Sequence, residues 1–105
     1  MAKYLLAYHG GGMPASEEET ARVMAAWTRW YEALGDEVVD PGNPVGGARM
    51  IGPDGSVSDG GGTSPVSGYT IISAATIDAA VTKAKGCPVL AAGGSVEVCE
   101  TFDVM

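Results

Sequence analysis

The stretch from Ser16 to Gly35 restricts the fold more than any other part of the chain. Ser16 is a helix N-cap residue and Glu19, three positions on, completes a capping box, while Glu17 and Glu18 add negative charge where the helix dipole is positive. Gly35 supplies a left-handed stop. Between these signals Val23, Met24, Trp27, Trp30, Tyr31 and Leu34 recur at helical spacing and make one wide apolar stripe. A stripe that carries two tryptophans and a tyrosine must pack on something, and the rest of the chain has to provide it.

The other segments read mostly as strands. Lys3 to His9, KYLLAYH, is an apolar and aromatic run that stops at three glycines, as a buried strand does. A brief strand around Glu37 to Asp40 ends in turn chemistry at Pro41, Gly42, Asn43 and Pro44. Ala48 to Ile51 and Val57 to Asp59 flank GPDG, so this section is either an extended hairpin or a long glycine-rich loop. Gly68 to Ala74 has strand composition, and Ile77, Ala80, Val81 and Ala84 then fall on one helical face, with Thr76 as cap and Gly86 and Pro88 to end the helix. In the final GSVEVCETF, Val96 and Val98 alternate with Glu97 and Cys99 on the opposite face. The order fits an α+β fold, β-α-β-β-α-β, with both helices on one face of an antiparallel sheet. The other face would be bare in a monomer, which makes it the natural surface of a homodimer and predicts a cavity where two sheets do not close completely.

With 105 residues the chain is one domain, residues 1–105, since a second would leave neither half enough residues for a core. Six Lys and Arg against thirteen Asp and Glu give a net charge of -7, which argues against nucleic acid and anionic lipid as partners. No run is long and apolar enough for a membrane helix and the N-terminus has no secretory pattern, so the expected location is cytoplasmic. Cys87 and Cys99 form no CxxC pair and read as reduced, buried residues.

The HGGG stretch, His9 to Gly12, resembles an oxyanion-hole loop, but the chain has no G-x-S-x-G elbow to go with it. Neither Lys83 nor Lys85 follows a phosphate-binding glycine run, and GGGMPA lacks the third glycine of a dinucleotide fingerprint, so no cofactor is expected. One histidine and two separated cysteines do not make a metal site. His9 can still serve as a general base oriented by a carboxylate, with Asp40 or Asp59 as candidates, or it simply ends its strand. Glu97 is either buried in a dimer, where it lines a wet cavity, or it is an edge-strand charge that blocks aggregation. Trp27 and Tyr69 join Glu97 as candidate ligand-binding residues, and the bland reading of the Trp27 stripe is core.

Several stretches taken together, KYLLAYHGG, MAAWTRWYEALGDEVVDPGNPV, DGSVSDGGG, GYTIISAATIDAAVTKAKGCP and GGSVEVCE, resemble the YCII-related, or DGPF-domain, family of small bacterial proteins. The resemblance implies a ferredoxin-like fold that pairs as a dimeric α+β barrel. It also implies, for some members, a setting near sigma factors, and hence a non-catalytic module for a transcription regulator. Of the Asp-Gly-Pro-Phe signature only the first half is kept, at Asp59, Gly60, Gly61 and Gly62. Some members resemble enzymes through a first-helix histidine paired with an aspartate, and the helix here has no histidine, so that pair is not carried over. The expected function is that of a homodimer binding a small molecule at the sheet interface or beside the long middle segment. The alternative is a lyase or isomerase that uses His9 with Asp40 or Asp59.

Overall fold

A computed structural model describes residues 1–60, 62 and 64–104 of the chain. The strands are β1 (Ala2–His9), β2 (Val38–Asp40), β3 (Arg49–Ile51), β4 (Val57–Asp59), β5 (Val66–Ala74) and β6 (Ser95–Glu100), and the helices are α1 (Glu17–Leu34) and α2 (Ile77–Ala84). Four strands form an antiparallel sheet in the order β2-β5-β1-β6, and β3 and β4 form a separate two-stranded hairpin. The fold is α+β, and its four-stranded sheet with two helices is compatible with a ferredoxin-like arrangement.

The period-2 pattern of β1 decides what packs where. Tyr4, Leu6 and Tyr8 face the helices and are buried, together with Ile72 and Ala74 of β5. Leu6 lies opposite Thr70 on one side and Val98 on the other, so three strands meet at the most enclosed point of the sheet. Trp30 and Leu34 of α1 and Ala80 and Ala84 of α2 join the same cluster, which puts both helices on one face. The small alanines let α2 sit close to the strands, and Trp30 Nε1 ties the helices by donating to the Lys83 carbonyl oxygen at 3.1 Å.

The capping signals act as expected. The Ser16 hydroxyl accepts from the Glu19 amide at 3.1 Å, and the Glu19 carboxylate accepts in return from the amide of Ala15 rather than of Ser16. Gly35 ends α1 with φ of 58°, its amide donating to the Tyr31 carbonyl oxygen. Thr76 caps α2 by accepting from the Ala79 amide. Glu37, expected in the second strand, instead closes a short 3-10 turn, Gly35–Glu37, where its carboxylate takes an ion pair from Lys83. Cys87 is buried as expected, whereas Cys99 is half-exposed because β6 turns it away from the helices.

The middle section folds as a hairpin whose GPDG tip is closed by Gly52 and Ser56, the Gly52 amide donating to the Ser56 carbonyl oxygen at 2.8 Å. Gly61, the third residue of the shortened signature, lies outside the described residues. No helix among the described residues is long and apolar enough to cross a membrane.

Leu6 is fully enclosed between three strands and two helices. Leu6→Ala is therefore expected to lower unfolding free energy by about 2–5 kcal/mol in urea denaturation, with the slope of the transition unchanged.

Candidate functional site

Two sites emerge at the C-terminal end of β1, one on each face of the sheet. The first begins with Tyr8, whose ring lies under α1. Its hydroxyl donates to Thr70 Oγ1 at 2.6 Å, Thr70 Oγ1 donates to the Pro41 carbonyl oxygen at 2.9 Å, and Tyr31 Oη donates to the same carbonyl at 3.2 Å. Four elements are thereby joined: β1, β5, α1 and the turn after β2. Burial pushes the phenol pKa values of Tyr8 and Tyr31 and the thiol of the adjacent Cys87 upward, so all three stay neutral.

Beside this knot is a cavity of about 320 Å³, lined among others by Tyr8, Met24, Trp27, Tyr31 and Tyr69 and floored by the Pro41–Pro44 segment. The rings of Tyr8, Trp27 and Tyr31 form a connected set. Trp27 meets Tyr8 edge to face with ring centres 5.4 Å apart and lies 5.8 Å from Tyr31 at a tilt of 38°. The floor is held in place by backbone contact with β5: the Tyr69 amide donates to the Asn43 carbonyl oxygen at 3.3 Å, and the Val45 amide to the Ser67 carbonyl oxygen at 3.0 Å. Gly42 makes this approach possible. With φ of 72°, a Cβ there would stand 1.8 Å from the Tyr69 carbonyl oxygen, so no other residue fits.

A broader depression of about 590 Å³ continues from the cavity along α1 and is lined by Gly10, Gly11 and Gly12. Trp27, Ser67 and Val89 border both spaces. The three glycines of the HGGG stretch thus form a groove wall beside the helix.

The second site is His9, whose side chain is 18% accessible. Its Nδ1 donates to the Ser64 carbonyl oxygen at 2.9 Å and its Nε2 lies 3.1 Å from Glu97 Oε1. Both neighbours are acceptors, so the ring is best satisfied when both nitrogens carry protons, and the pKa is raised first by the Ser64 carbonyl and then by Glu97. A triad-like base keeps one nitrogen free for substrate, whereas here both are engaged.

The sequence-derived candidates divide accordingly. Trp27 and Tyr69 come together at the cavity, and Glu97 meets His9. Asp40 does not. It ends β2, and β5 stands between β2 and β1, which puts two strand spacings, about 10 Å, between the ladders of Asp40 and His9. Its Oδ1 instead accepts from the Gly42 amide at 2.8 Å and shapes the cavity floor. Asp59 is paired in register with Arg49 in the hairpin, and His9 takes its carboxylate from β6 instead. Among the described residues, no group of three His, Cys, Asp or Glu side chains is arranged to hold a metal ion.

Comparison with protein-family models finds no family that matches the chain, and comparison with curated proteins finds no match.

Two measurements check this geometry. Removing the Thr70 hydroxyl strands the buried phenol of Tyr8, so Thr70→Val is expected to cost about 1–3 kcal/mol in urea unfolding. The His9 ring should titrate above its ordinary value of 6.5 when followed by NMR, and less far above it in Glu97→Gln, where the Ser64 carbonyl remains. Because the folded value is the higher one, the contact's contribution to stability is complete below the unfolded-state pKa and is lost as pH rises through the folded one.

Proposed function

We propose that the chain is one subunit of a homodimer, ferredoxin-like and YCII-related in kind, and that it binds a small neutral molecule with a flat aromatic body in the cavity between α1 and the Pro41–Pro44 segment. The observation that carries this reading is the cavity wall: Tyr8, Trp27, Tyr31 and Tyr69 border it, and no charged residue is among the described residues that line it. Its volume of about 320 Å³ is at the lower end of small-molecule sites. Flat aromatic walls favour a ring that can stack or meet them edge-on. The neutral hydroxyls and the fixed backbone of the floor orient such a ring through hydrogen bonds rather than charge. A net charge of -7 further disfavours an anion.

Pairing is supported by the face of the sheet away from the helices, where the half-buried Leu5, Ile71 and Cys99 alternate with the core positions. Binding is favoured over lyase or isomerase chemistry because Nε2 of His9 would first have to leave Glu97 before it could accept a substrate proton. His9 instead holds the Ser64 backbone to β6.

Calorimetric titration with phenol, indole and benzoate tests the proposal. Phenol and indole are expected to bind and to raise the melting temperature, benzoate to bind at least about tenfold more weakly, and Trp27→Leu to weaken indole by a similar factor. Equal affinity for benzoate, or indole binding untouched by Trp27→Leu, would remove the cavity from consideration.

A further inference from the structure

The β3–β4 hairpin has no core of its own. All six of its strand residues are exposed, and Met50, Ile51 and Val57 keep 58%, 68% and 64% of their surface in water. Ile51 and Val57 are directly paired, so they present one apolar patch on the same face of the ribbon. An isolated two-stranded hairpin is marginal in water, and three uncovered apolar side chains make it more costly to expose.

The dimensions of the whole chain point the same way. It measures 44 × 40 × 18 Å, the thin axis matching one sheet and one layer of helices. Its radius of gyration is 15.1 Å, where a self-contained chain of this length has about 13 Å. Its accessible surface is 7092 Å², about 1,600 Å² more than the roughly 5,500 Å² expected of a monomer of its mass. A standard interface takes about 800 Å² from each partner, so the excess is enough for the bare sheet face and for the hairpin as well.

We infer that the β3–β4 hairpin is an arm that reaches over to a second copy of the chain and buries Ile51 and Val57 against it, at the margin of the sheet-to-sheet contact. By two-fold symmetry each subunit gives one arm and receives one. The inference rests on the homodimer proposed above and adds the segment that locks it. The same arrangement explains how a short ribbon with an apolar patch is kept from pairing indiscriminately.

Light scattering on the full-length protein, with Ile51→Lys/Val57→Lys and, separately, Ile71→Lys on the bare sheet face, tests it. The wild type is expected to be a dimer, and the hairpin variant to dissociate with a constant raised at least about 100-fold. Hydrogen exchange of the wild type gives a second reading that needs no variant: the amides of β3 and β4 should be protected at high concentration and lose protection on dilution. A dimer weakened by Ile71→Lys but not by the hairpin variant, with hairpin exchange independent of concentration, would overturn the arm and leave the dimer standing. A monomeric wild type would overturn both.

Discussion

Two tyrosine hydroxyls and a threonine hydroxyl can sit at the edge of a core this small only because a single carbonyl collects them. The oxygen of Pro41 accepts from both Thr70 and Tyr31, and Thr70 in turn accepts from Tyr8. Each donor is thereby satisfied inside the protein, where an unmet hydroxyl would cost more than the bond itself returns. The knot also fixes geometry. It pins the turn after β2 to β5 and α1, and that turn is the floor of the cavity. Were the Pro41 carbonyl to turn away, the aromatic rings would lose the surface opposite them and the site would open to water.

The last two residues of β1 therefore do different work. Toward the helices, Tyr8 meets Trp27 and the hydroxyl knot, in a setting without charge. Toward the bare face, the next residue, His9, meets Glu97 and the Ser64 carbonyl, in a setting where charge is favoured. Strand alternation alone separates them. The neutral pocket and the His9 clamp lie one residue apart: burial keeps Tyr8 and Tyr31 neutral, while the Ser64 carbonyl and Glu97 favour the charged form of His9.

Local features were legible in the sequence. Ser16, Glu19, Gly35 and Thr76 act over three or four residues, so their roles can be read without knowing the fold, and the alternation of Val96 and Val98 with Glu97 fixes a face by period alone. Trp27 and Tyr69 were recognisable as aromatic candidates. What could not be read was anything set by register between distant strands. The pairing of Ala7 with Glu97 across β1 and β6 brings Glu97 to His9, and no local pattern states it. Asp40 looked like the end of a neighbouring strand until β5 proved to lie between. Thr70 carried a weak signal, the one polar residue among the buried, core-facing positions of β5. Its acceptor, a proline carbonyl 29 residues away, carried none.

The proposed binding site is the uncharged aromatic cavity beside the Pro41 carbonyl. Its most direct test is amide and indole chemical-shift mapping of the full chain by NMR during addition of indole. Saturable shifts are expected to cluster at Gly42, Asn43, Tyr69, Thr70 and the Trp27 side chain, with His9 and Glu97 unmoved. Shifts centred on His9 and Glu97, or no saturable shifts at all, would contradict that assignment.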